Sequence, residues 1–162
     1  MPARSSATQR HHAALLSALR SQLAALGEDS AAEQPHSAET GNDPSAALSA
    51  CASAVVRAHE AGQQPVREAL RAVVRSSLAE LAQRAPGRSV EVRVPPFSAV
   101  QVIAGPHHTR GTPPNTVQTD PLTWVRLATG RLSWEQARAE GSVEASGNRA
   151  DLAPWLPLWP SR

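Results

Sequence analysis

The sequence predicts an α+β protein, and three observations carry that prediction. From Val66 to Arg84 the apolar residues recur with a helical period; after Ala85-Pro86-Gly87 they alternate strictly, at Val90, Val92 and Val94. From Asp120 onward, helix start and stop signals return. Helices, then strands, then helices with one late strand point to an antiparallel or mixed β-sheet packed by helices.

The elements follow in order. His11 to Leu26 forms an amphipathic stripe of Leu15, Leu19, Leu23 and Leu26, with Gly27 placed to stop it. Residues 27–44 hold five acids, two prolines and almost no large apolar side chain, which predicts a disordered acidic linker. Ser45 to Ala61 reads as a helix with Leu48, Cys51, Val55 and His59 on one face, ended by Gly62. Pro65 opens the strongest helix, in which Val66, Leu70, Val73, Val74, Leu78 and Leu81 share a stripe through Arg84.

Strand 90–94 is broken by Pro95-Pro96, neither of which donates to a ladder. A second strand covers 97–104, with Val100, Val102 and Ala104 on one face. An eleven-residue loop, GPHHTRGTPPN, runs from Gly105 to Asn115 and is followed by a short strand at 116–119. Asp120-Pro121 starts a helix that Gly130 stops, and Ser133-Trp134-Glu135-Gln136 fits a capping box. A last strand is expected at 142–146. A final helical piece from about Asn148 carries Leu152, Trp155 and Leu156 up to Pro157. The domain reading is therefore an N-terminal helix at 1–26, a linker at 27–44 and an α+β domain at 45–162 with its core at 63–162.

Composition narrows the function. One cysteine, Cys51, excludes an internal disulfide and any cysteine-built zinc or iron–sulfur cage, and it suits a reducing, cytoplasmic setting. All 16 basic residues are arginine and there is no tyrosine. A pyridoxal Schiff base, a phosphate-loop lysine and a phenolic general acid are thereby ruled out. The net charge is only +2, and no segment concentrates the basic residues on the scale nucleic-acid binding needs. The arginine-bearing, acid-free residues 1–26 resemble an organellar transit peptide, but an Ala/Arg-biased chain explains them more simply. No stretch is long and apolar enough for stable membrane insertion.

One stretch carries a family resemblance. VEVRVPP at 90–96, GPHHTRGTPPN at 105–115 and TDPLTWVRLATGRLSWEQA, followed by EASGNRADL, resemble the bacterial sterol-carrier-protein ortholog domain over residues 85–156. The resemblance implies a sterol-carrier-like sheet packed by helices around an apolar tunnel that in the best-known members accepts sterols or acyl chains. It implies no catalytic residue and no cofactor. A related architecture joins such a module to a metal-binding helical bundle in thiol-dependent isomerases, but residues 1–62 lack the bundle's set of helical histidines.

The candidate site residues fall into two groups. Val100, Val102, Trp124, Leu127, Trp155 and Leu156 are either ordinary core or the lining of an apolar cavity. His107, His108, Arg110 and Asn115 offer imidazole, guanidinium and amide groups for a carboxylate, a phosphate or a partner protein, unless the loop is simply solvated. No metal site is expected, because neighbouring side chains such as His107 and His108 diverge on extended backbone. A Cys51–His59 pair is too far apart, since eight helical residues span about 12 Å. The first reading is thus a non-catalytic module binding a lipid, acyl or isoprenoid ligand. The second is a protein-interaction or accessory module with a closed core, and the third a component of a thiol-dependent isomerase.

Overall fold

The computed structural model describes residues 3–28, 43–106, 111 and 113–159. The chain divides into two compact units, Met1–Val73 and Val74–Arg162. The sequence-based division at residue 44 instead follows the linker.

In the first unit, α1 (Ala3–Ala25) packs along α2 (Pro44–Glu60). Asp43 caps α2 by accepting from the Ser45 N–H at 3.0 Å, and Pro44 occupies the first turn, where no donor is missed. Most of the buried side chains of α2 are small, namely Ala47, Cys51, Ala52, Ala54 and Ala58, with Leu48, Val55 and Val56 between them. Small side chains let a second helix approach closely. The buried stripe of α1 is not quite the predicted leucine row. Leu15, Ala18 and Leu23 are buried together with His12 and Gln22, whereas Leu19 and Leu26 are half-buried. Gln22 lies within reach of the next element: its Oε1 accepts from the Val66 N–H at 2.8 Å, just ahead of α3 (Arg67–Arg84). His59 keeps the angular position of the Leu48–Cys51–Val55 face but is exposed, because it sits in the last turn of α2.

The second unit takes the rest of α3 and builds a sheet in the order β2-β1-β3-β4 from β1 (Val90–Val94), β2 (Ser98–Val102), β3 (Thr116–Thr119) and β4 (Val143–Ser146). The β1–β2 and β3–β4 pairs are antiparallel and β1–β3 is parallel, so the sheet is mixed. Register places Val100, Val92, Val117 and Ala145 in one row, and Val90, Val94 and Val102 on the same face. The opposite face carries Gln101, Glu91 and Thr116 beside Arg93 and Gln118, with Arg93 ion-paired to Glu91. One face is dry and the other wet.

Between β3 and β4 lie α4 (Pro121–Ala128) and α5 (Trp134–Ala139). Both begin as their caps dictate. Asp120 accepts from Leu122 and Thr123, and Ser133 with Gln136 forms a reciprocal capping box. The predicted last helix shrinks to a single 3-10 turn, Ala153–Trp155. Pro154 can donate no hydrogen bond, and Pro157 holds Leu156 extended at φ −111, ψ 149, so no second turn can form.

Both ends of the loop that follows β2 meet at Ser89. Register puts the end of β2 and the start of β3 beside the same end of β1, so the loop crosses one strand and returns. Ile103 closes β2 at φ 65, and its carbonyl accepts from the Ser89 N–H at 3.0 Å and the Ser89 hydroxyl at 2.8 Å. A β-branched residue at positive φ is strained by about 1–3 kcal/mol, which these bonds offset. Gly87 makes room for it, because a Cβ there would overlap the Ile103 carbonyl.

Two outcomes follow from this packing. Of the expected linker at 27–44, residues 29–42 lie outside the described residues; its composition makes the linker the expected protease site, but burying Leu15 alone supplies about 1.5–3 kcal/mol, so α1 should stay with the nicked chain. Gel filtration followed by a denaturing gel reads this; loss of α1 from the native peak would contradict the α1–α2 packing. Gly147→Ala should destabilise by about 2–4 kcal/mol in urea unfolding, because a Cβ at that position would overlap the Asn115 amide oxygen and the Pro114 carbonyl.

Candidate functional site

The expected apolar site separates into a buried half and a half-exposed half. Val102 and Trp124 are 0 % exposed and Leu127 is 1 % exposed, so no space even for water lies against these side chains. Val100, Trp155 and Leu156 are half-buried. Trp124 is also fixed in orientation. Its indole N–H donates to the Ser77 hydroxyl at 2.8 Å, and that hydroxyl donates to the Val74 carbonyl at 3.1 Å. The buried Ser77 is the residue the sequence reading passed over. Its signal was a hydroxyl on the apolar stripe of α3, a position that calls for a partner.

The C-terminal segment was also missed as a packing element. Leu158 is 2 % exposed. Its carbonyl accepts from Arg84 Nη1 at 2.8 Å, and the Trp159 N–H donates to the Ala128 carbonyl at 3.0 Å. The ends of α3 and α4 are thus bound to one strap.

Of the polar group, His107, His108 and Arg110 lie outside the described residues. Asn115 does not point outward as a loop ligand. It is buried, its Nδ2 donates to the Ser89 carbonyl at 2.8 Å, its Oδ1 accepts from the Arg149 N–H at 3.0 Å, and its own carbonyl accepts from Glu91. An amide engaged at both ends by backbone is a clasp at the base of the loop. Arg149, unnoticed in the sequence, lies across the loop base, where its Nη1 would meet a Cβ on Gly105.

Among the described residues no three His, Cys, Asp or Glu side chains stand together as a metal site, and no helix is long and apolar enough to cross a membrane. Cys51 is fully buried, and burial pushes its thiol from the ordinary 9.0 up to about 12. A thiol this reluctant to ionise is a core residue rather than a nucleophile. Because the folded value is the raised one, the thiol's contribution is complete below pH 9. It is lost as pH rises from there towards 12, at about 1.4 kcal/mol per unit. The native chain should therefore resist thiol-specific alkylation at pH 8 and react only in denaturant. Rapid labelling of the folded chain would show the thiol to be accessible.

The family comparison agrees with this arrangement. The sequence profile of the family described as bacterial SCP ortholog matches residues 66–158, more than half of the chain, and this stretch holds all of α3 and the entire sheet. No curated protein matches the chain. With helices beside a four-stranded mixed sheet and the profile running through every strand, the chain belongs to the bacterial SCP ortholog family.

Proposed function

We propose that the chain is a non-catalytic, cytoplasmic binding module that takes an apolar ligand, an acyl or isoprenoid chain, between the valine face of its sheet and α4. Family membership is the observation that carries this reading. The chemistry supports it: about ten buried methylenes supply ~8 kcal/mol, a micromolar constant before ordering terms, without elaborate polar recognition. In this reading Val100 and Val102 form one wall, Trp124 and Leu127 the other, and Trp155 with Leu156 the rim. His107, His108 and Arg110 meet an anionic head where the ligand has one. Because Val102, Trp124 and Leu127 have no free surface, the resting site is closed and the ligand must part its walls.

That same closure favours a second reading. A core that stays filled would leave an accessory or protein-interaction module, with the surface rather than the interior as the working part.

Titration with a fluorescent fatty acid, competed by unlabelled lipids, separates the two. The carrier reading expects saturable binding, blocked by Leu127→Phe at an overpacking penalty of about 1–3 kcal/mol that leaves the chain folded. Arg110→Ala should weaken fatty acids but spare a neutral isoprenoid, since it removes a charge-assisted bond. Binding no tighter than about 100 µM, or ~5 kcal/mol, from a folded monomer is too little for a filled tunnel and would hand the case to the interaction module.

A further inference from the structure

The strand order leaves β2 at one edge of the sheet, and among the described residues no strand lies beyond it. The ladder shows which of its backbone groups point outward. The Glu91 N–H donates to the Asn115 carbonyl, so the backbone groups of Glu91 and Arg93 face β3, while those of Val90, Val92 and Val94 face β2. Their register partners Val102, Val100 and Ser98 therefore face inward, and Phe97, Ala99, Gln101 and Ile103 face out. The outer two donors are already taken: the Phe97 N–H by the Val94 carbonyl at 3.0 Å, and the Ile103 N–H by the Ala85 carbonyl at 2.7 Å. That leaves the N–H and C=O of Ala99 and of Gln101 as an open row, and both residues are exposed. Edges are ordinarily blunted by a charge, an internal proline or a bulge. From Val94 to Pro106 there is no charged side chain, and Pro95-Pro96 stand ahead of the strand rather than in it. The opposite edge, β4, carries the exposed Glu144.

The limits of this row identify what fits it. The spent donors at Phe97 and Ile103 stand three residues either side of Val100, so the open groups are symmetric about that residue. A second copy turned by a two-fold axis through Val100 sets Ala99 against the partner's Gln101 and Gln101 against the partner's Ala99. Four hydrogen bonds then use every open group on both chains. On the dry face Val100 is half-buried for want of a neighbour on its outer side, and the axis brings it against its own copy, a favourable pair of β-branched side chains. On the wet face Arg93 shares a row with Ala99, and Glu91 with Gln101. Each Arg93 thus falls in the row of the partner's Glu91, opposite in sign. An unrelated extended segment would satisfy the backbone alone; the second copy also matches the length of the row and the order of the charges.

We propose that β2 is a self-pairing edge, at which two copies of the chain join antiparallel about Val100 and merge their four-stranded sheets into one. The proposal goes beyond the carrier reading and does not rest on it. An interface of one short strand is small, so the association is reversible and is read as a function of concentration. Sedimentation velocity of the full chain, over about a hundredfold range of concentration, should show the mass rising towards twice that of one copy. Ala99→Pro should weaken the association about tenfold or more and leave the melting temperature of the dilute chain unchanged, because the lost N–H bonds nothing within the chain. Val100→Cys should oxidise to a covalent dimer, since residues opposed in a pair of this kind have Cα atoms about 4.5 Å apart, within disulfide reach. Cys51 is buried and contributes no cross-link. Ala99→Cys lies off the axis and should cross-link at least about tenfold more slowly. The proposal is overturned if the unmodified chain sediments as a single copy at every concentration, or if folded Ala99→Pro associates as the unmodified chain does. It is equally overturned if Ala99→Cys cross-links as fast as Val100→Cys, which would mean another register or random collision. Should Ala99→Pro lower the melting temperature, the two cysteine variants decide the case alone.

Discussion

The constraint that organises the C-terminal unit is a sheet with one dry face. Val90, Val92 and Val94 sit at 0 % exposure on the central strand β1, while Glu91 and Arg93 between them point to the wet side. With the apolar surface confined to one side, the buried residues of α3 and α4 must supply its cover. Trp124 is the largest of the fully buried side chains, and it brings a polar N–H into an apolar layer. Ser77 resolves that conflict. It accepts the indole proton and passes its own to the helix backbone, so an otherwise stranded donor becomes a fixed spacing between two helices.

A core arranged this way is closed by its own side chains, and that shapes what a ligand must do. A preformed tunnel would let an acyl chain enter at no structural expense. In the proposed carrier reading the wall residues are already buried, so insertion has to replace side-chain contacts by ligand contacts at similar packing density. The net gain is then smaller than the ligand's transfer energy, and chain length matters more than head chemistry. On that proposed reading the site favours a broad class of apolar molecules over a single one.

Much of the fold was legible in the sequence because it rests on local rules. Asp120 with Pro121, the Ser133–Gln136 box and the switch from helical to alternating period each announce an element from neighbouring residues. What was not legible depends on residues far apart. The sheet order needs β1 to pair with β3 across the whole loop, and nothing near either strand specifies that. Asn115 looks like a loop amide until Ser89 and Arg149 are beside it. Gln22 reads as a polar interruption of a leucine stripe until the start of α3 supplies a donor for it. The C-terminal helix failed for a local reason given too little weight, two prolines three residues apart. The candidate site was the least legible part, since burial on a helix stripe reads alike for a core and for a ligand wall.

Ser89 has a further consequence. Its N–H and hydroxyl hold Ile103 while its carbonyl holds the Asn115 amide, so the two ends of the long loop are pinned to one residue of the sheet. The entropy of closing a chain between fixed ends grows only with the logarithm of its length, about 0.6 kcal/mol for each doubling. Residues can therefore be added, removed or exchanged between the pins with little effect on the strands. The fold separates a segment free to diversify from a frame that is not, which is the condition under which one scaffold acquires many specificities.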